Sequence, residues 1–357
     1  MRKYIPLFLI AFYVFSCSND GDSTPPMAEE PIETPEDTGG NMPDEPLVDN
    51  VFEGDVVLSD QAAVDAFVAM RYTEITGSLR IGTPGASGET DITSLQGLST
   101  LSSVQGDLSL ISNTRLLSLR GLENLRSPIG SISLNSNFEL ISISELLGIT
   151  EINGDLSILT QTELTSFIGL QNITTITGNV VISGNPRVST LGLRQLMRVE
   201  GNLEISIMGN IQSLSGLDAL TLVGGQLSVN SNDVLTSLNG INNLVSIGSL
   251  ETQGTTESGF FIENNMVLAS LVGLENLTSV TGNLLIARND NLMRLDGLEQ
   301  LEEVSQIAII RENALLNDFC ALQNVLGIQG AIRSFAVNDN LFNPSREDIE
   351  GGNCSSL

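Results

Sequence analysis

The chain contains no histidine and no tryptophan, and its only lysine is Lys3. Those absences remove whole classes of chemistry. Ser–His and Cys–His nucleophile pairs, histidine-bearing zinc sites, lysine Schiff bases and the P-loop lysine have no residues to form them. Carboxylate-pair chemistry is what remains, so a non-enzyme without cofactor or metal is expected. Aromatic residues make up only 4%, which leaves few flat platforms for stacking sugars. Basic residues are scarce too: 15 Lys and Arg face 43 Asp and Glu, a formal net charge of −28. Such a surface repels phosphate backbones, which makes nucleic acid a poor partner. It also repels an anionic bilayer, so any membrane attachment has to be covalent or hydrophobic. What is plentiful is aliphatic: 41% of 357 residues are hydrophobic, enough for one large core or two ordinary ones.

The first residues read MRKYIPLFLIAFYVFSC. Arg2 and Lys3 precede an apolar run from Tyr4 to Ser16, shorter than the about 20 residues a membrane-spanning helix needs. That layout is a secretory signal, expected over 1–16. Ser16 before Cys17 looks like a bacterial lipobox, although Val14 stands where Leu is commoner. Cys17 is therefore the expected lipid anchor, and its acyl chains the expected membrane contact. Residues 18–50 have no Lys or Arg and hold six of the eleven prolines. This composition cannot bury a core, so 17–50 is expected to be a lipidated, acidic, disordered tether. An acidic stretch after a lipidated cysteine resembles signals that send some Gram-negative lipoproteins to the outer face of the outer membrane. The expected location is accordingly the cell surface, the alternative being a periplasm-facing rod.

From Ile75 onward the chain repeats itself. VQGDLSLISNTRLLSLRGLENLRS begins at 104, INGDLSILTQTELTSFIGLQNITT at 152 and VTGNLLIARNDNLMRLDGLEQLEE at 280. Repeat starts fall at 75, 104, 128, 152, 176, 199, 223, 247, 280, 304 and 328. Each unit combines a Gly turn, an alternating L-x-[IV] strand, an Asn turn and an L-x-S-L-x-G-L stretch. Alternation at period two buries one strand face and wets the other. No unit can bury its apolar side alone, so the units must stack. The expected fold is mainly all-β: a single right-handed leucine-rich β-solenoid of about eleven 23–24-residue rungs with short capping helices at both ends. At about 4.8 Å per rung this makes a rod on the order of 50 Å long.

Three columns support the register. Leu110, Leu134, Ile158, Ile182, Ile205, Val229, Ile262, Ile286 and Ile310 point inward. Gly77, Gly106, Gly130, Gly154, Gly178, Gly201, Gly225, Gly282 and Gly330 share a turn that needs positive φ or close backbone approach. Asn113, Asn137, Asn185, Asn232, Asn265, Asn289 and Asn313 form a ladder whose stacked amides bond along the rod axis. Gln161 fits that ladder and Met208 breaks it.

The boundaries expected are 51–74 for an N-terminal cap, 75–327 for the solenoid and 328–357 for a C-terminal cap. Ser59 or Asp60 can N-cap a helix through Met70 whose apolar side carries Ala63, Val64, Phe67 and Val68. Pro344 and Gly351 bracket a second short helix. With Cys17 acylated, Cys320 and Cys354 remain, and an exported protein can oxidise them to a disulfide, the alternative being a free thiol pair.

The repeated G-[ND]-L-x-I-x-x-N and L-x-S-L-x-G-L-x-x-L patterns make residues 52–357 resemble the receptor L-domain-like leucine-rich repeat family, bacterial surface lipoprotein branch. The opening GDVVLSDQAAVDAF and the closing LNDFCALQ…NPSREDIEGGNC look like that branch's end caps. The resemblance implies recognition of a protein or glycan at a cell surface and no catalytic residues. This chain departs from receptors in having no cysteine-rich module and one unbroken stack, so the ligand class does not carry over.

Two candidate surfaces follow. Insertions at Gly82–Glu89 and Glu251–Gly259 lengthen two units, and solenoid insertions often shape binding faces. The outward strand column runs Ser109, Ser133, Ser157, Val181, Glu204, Ser228 and then turns apolar at Phe261, Leu285 and Ile309, a stripe that suits a partner or a covering loop. The best carboxylate pair, Asp107 and Asp155, belongs to the polar position after the turn Gly and reads as structural. A structural envelope protein without a discrete ligand is the alternative function, and a β-helical polysaccharide enzyme a more distant one.

Overall fold

The L-x-[IV] alternation forms strands, as its period of two requires. In the computed structural model, which describes residues 50–83, 90–126, 129–248 and 258–356, these strands stack in parallel from Val56–Leu58 to Ile332–Asn338. Equivalent residues pair one to one, as in Leu110↔Leu134, Ile182↔Ile205, Val229↔Ile262 and Ile286↔Ile310. The result is a parallel β-solenoid of about 11 turns, repeating about every 24 residues, with little helix. Cys17, the tether through 49, residues 84–89 and residues 249–257 lie outside the described residues.

Each turn has a second, shorter strand, such as Glu151–Ile152 and Thr175–Ile176, also paired in parallel with its neighbours. Among the described residues the remaining side carries no regular strand. There the leucines step by three, and Leu116, Leu119, Leu122 and Leu125 are all buried. One turn thus sends Val104, Leu108, Leu110 and these four leucines inward. Burial of one such side chain is worth about 1.5–3 kcal/mol, but it requires a turn above and a turn below.

Two rung starts differ from the repeat count. The third short strand is at Ile129, bridged to Ile152, one residue later than the repeat count places it. The last is at Ile332, paired with Val304, because a helix over Gln323–Gly327 and the turn after it lengthen that unit. Gly330 therefore does not belong to the glycine column, and a Cβ there would meet nothing. At Gly106 the requirement is close approach: a Cβ would lie 2.7 Å from the backbone carbon of Gly77 in the preceding turn. Within the column Gly282 alone has positive φ, at 127°; elsewhere positive φ gathers at the residue before each ladder position: Ser112, Ser136, Thr160, Gly184, Ile207, Ser231, Asn264, Arg288 and Glu312.

The asparagine ladder is real and fully buried. Each Nδ2 donates to a strand carbonyl in the preceding turn, as Asn137 to Leu110 at 3.0 Å and Asn289 to Ile262 at 3.0 Å. Each Oδ1 accepts the amide of the ladder residue one turn back, as Asn113 N to Asn137 Oδ1 at 3.1 Å. The ladder also has ends. Thr90 donates its hydroxyl to Asn113 Oδ1 at 2.9 Å. At the other end Asn340 extends the column, and Asn343 closes it by accepting the Asn340 amide at 2.9 Å. Gln161 fits only in part. Its own amide reaches Asn185 Oδ1, but its Oε1 is buried without a hydrogen-bond partner. Gln161→Asn is accordingly expected to supply the missing acceptor for Asn137 and raise stability by about 1 kcal/mol, read as a higher unfolding midpoint. An unchanged or lower midpoint would count against the ladder as an energetic unit.

Short helices stand in the first and last turns. The first, α1 (Gln61–Ala69), is N-capped by Asp60, which accepts from the Ala63 amide, and it buries Val64. Phe67 of α1 joins Phe52 and Tyr72 in an aromatic cluster at that end. The helix over Gln323–Gly327 is α2, and α3 spans Arg346–Glu350. Pro344 lies one residue before the α3 N-cap rather than at its first position, because Ser345 and Asp348 form a reciprocal capping box. The side-chain and backbone hydrogen bonds from Ser345 hold the Asp348 carboxyl below its ordinary 3.8. Cys320 and Cys354 are disulfide-bonded, with Cα atoms 4.9 Å apart.

Candidate interaction surface

Outward-pointing side chains of the long strands make one continuous face. Ser109, Ser133 and Ser157 are cross-strand neighbours, followed by Val181, Glu204 and Ser228. Ser228 then pairs with Phe261, Phe261 with Leu285 and Leu285 with Ile309. The structure therefore brings the three apolar candidates together on adjacent strands, and all three are half-buried. Ile307, 37% exposed, and Ala336 extend the stripe. Ile307 escapes a reading of the repeats because it occupies the polar position after the turn. Of the two insertions, only Gly82, Thr83, Ser258 and Gly259 are among the described residues.

Beside the stripe lies a groove of about 340 Å3, lined by Asp155, Asn179, Asn202 and Gln226 along one column and Val181 and Glu204 along the next. Its polar column is itself a hydrogen-bond ladder. Asp155 Oδ1 accepts the Asn179 amide at 2.6 Å, Asn179 Oδ1 the Asn202 amide at 2.9 Å, and Asn202 Oδ1 the Gln226 amide at 2.7 Å. Asp107 does the same for the Ser131 amide at 2.6 Å. Asp107 and Asp155 are thus turn-to-turn acceptors, the structural reading of that pair. Glu204 accepts from the Ser206 hydroxyl at 2.8 Å.

The groove is centred where the repeat departs most from its own rules. On the rung of Leu203–Ser206, Glu204 replaces the usual serine and Met208 replaces the ladder asparagine. Ile207, β-branched and 60% exposed, is held at φ 54°. A bulky residue in left-handed backbone is strained, and such strain gathers at functional sites. Among the described residues, no group of three or more His, Cys, Asp or Glu could hold a metal ion. Nor, among them, is any helix long and apolar enough to cross a membrane.

Fold and surface together define a parallel β-solenoid repeat protein with an outward face that changes from amide-rich to apolar. No known protein family matches the chain, and no curated protein sequence is similar to it.

Proposed function

We propose that this chain is a non-catalytic, lipid-anchored cell-surface protein whose solenoid binds a protein or glycan partner, in keeping with its resemblance to L-domain-like repeats. The observation that carries the reading is the juxtaposition of the groove at Asp155–Gln226 with the stripe of Phe261, Leu285 and Ile309 on one sheet face. Amides and carboxylates offer directional hydrogen bonds, and contiguous apolar side chains offer contact area; interfaces combine the two. The scarcity of aromatics favours a protein over a glycan.

Protease shaving of intact cells tests the location. Loss of the rod before the outer membrane is permeabilised is the expected result. Protection until permeabilisation would turn the rod inward and make a structural envelope role, for which the ladder-stiffened rod is well built, the leading account. Phe261→Asp tests the face: the variant is expected to fold and lose the partners that the wild type captures from a host-surface extract. A folded variant that retains every partner removes the stripe from the interface.

A further inference from the structure

The two ends of the long-strand sheet are protected unequally. At the first edge, Val56–Leu58 is only three residues long and is flanked by Asp55 and Asp60. Short, charge-flanked strands are a common defence against pairing with foreign chains. At the last edge, Ile332–Asn338 is seven residues long and contains neither proline nor an acidic residue. The Asn338 carbonyl accepts the Glu312 amide from the preceding strand. Because neighbouring residues of a strand point their backbone groups to opposite sides, those of Phe335 and Val337, past the register shift between Val304 and Ile307, face away from the sheet. In earlier turns the equivalent groups are taken by the next rung, as Leu108 N is by Ser131 O at 2.8 Å. Here, among the described residues, no further rung follows. Instead a groove of about 540 Å3 lies between Phe335–Asn338 and the segment Asn343–Glu347. Phe335 and Val337 are only partly buried.

We infer that this edge is a docking site for one extended peptide strand of a partner protein, added in continuation of the sheet. Each property of the occupant follows from the surface. Free N–H and C=O groups at strand spacing call for an extended backbone. Phe335 and Val337 belong to the inward-facing set, so an added strand drops alternate apolar side chains into the groove. Arg333 is exposed, forms no ion pair among the described residues and is the strand's one charge; it complements an acidic residue at the peptide's start. A second copy of this chain fits less well. Asn343 already closes the asparagine ladder at this end, so another solenoid cannot continue it, and copies of net charge −28 repel one another.

The probe is the fluorescent peptide EVSQIAIIR, which copies Glu303–Arg311, the strand that pairs with the other edge of Ile332–Asn338. Its acidic start and alternating aliphatics match the site. Saturable anisotropy change is expected with the wild type. Val337→Lys, which points a charge into the groove, is expected to weaken it about tenfold. Arg333→Glu, at an exposed position that cannot disturb the core, is expected to weaken it several-fold at low salt. Phe261→Asp, on the outward face, is expected to leave it unchanged, which separates this site from the surface proposed above. No saturable binding at about 1 mM peptide, or binding that survives both edge variants, overturns the inference. So does a concentration-dependent dimer in sedimentation that Val337→Lys abolishes, since the edge would then serve a second copy.

Discussion

Asn265→Ala is expected to cost about 3 kcal/mol of unfolding free energy, a large effect for removing one amide. The Oδ1 of Asn265 accepts both the backbone amide and the Nδ2 of Asn232, at 3.1 and 3.2 Å. Its Nδ2 donates to Val229 O at 2.9 Å and to Glu263 O at 3.1 Å. Truncation therefore strands groups in two turns, inside a column that is fully buried. A buried donor or acceptor left without a partner costs about 1–3 kcal/mol, far more than the net worth of an ordinary hydrogen bond. Asn265→Asp separates this account from a simple cavity effect. It keeps the volume and the acceptor, removes the donor to Val229 and places a carboxylate in the core, so it is expected to cost at least as much as alanine. Asn243 provides the control: its Nδ2 donates to Asp218 O at 2.7 Å on the exposed side of the rod. Asn243→Ala is expected to stay within about 0.5 kcal/mol. Chemical denaturation of the three variants reads the difference. Equal, small losses at Asn265 and Asn243 would mean that the ladder is geometry without energy.

The ladder and the inward aliphatic column are the parts of the structure most legible in the sequence. Both depend on a residue type recurring at a fixed interval where only that type serves: aliphatics facing the core, and a side chain able to donate and accept at once beneath the turn. Other positions are fixed by backbone and leave no such mark. The left-handed residue before each ladder site is Ser, Thr, Gly, Ile, Asn, Arg, Glu or Asp, so composition does not reveal it. Ile207 becomes informative only when its φ is known. The ladder's ends are equally hidden, since Thr90 caps Asn113 from 23 residues away with a hydroxyl in place of an amide, and Asn343 reaches Asn340 through a local turn. Asp107 and Asp155 stand at the same position after the turn glycine, and their common place suggests a structural role. Which atoms they hold emerges only from the register, which aims each carboxylate at an amide one turn on. The groove has no sequence signature because it is a property of several strands at once.

Cys354→Ser is expected to loosen the last turn well before the rest of the rod. The bond from Cys354 to Cys320 closes a separation of 34 residues, and constraint of the unfolded chain over such a loop is worth about 3–4 kcal/mol. Where that energy acts matters more than its size. A solenoid turn is held by its two neighbours, and the last has only one. The α2 helix, the strand Ile332–Asn338 and α3 all lie inside the disulfide loop. The closing contacts beside the bond include Phe319 N to Cys354 O at 2.8 Å, Ser356 N to Asn317 O at 3.1 Å and an antiparallel bridge between Asp318 and Ser355. Hydrogen exchange is therefore expected to accelerate across 323–356 in the variant or on reduction, while the amides of Asn113 through Asn265 keep their protection. The same change is expected to abolish binding of the strand peptide, because a fraying Ile332–Asn338 no longer presents a fixed edge. Uniform loss of protection along the whole rod would show instead that the solenoid unfolds as one cooperative block. The disulfide would then stabilise the whole stack and have no special part in holding the terminal edge in place.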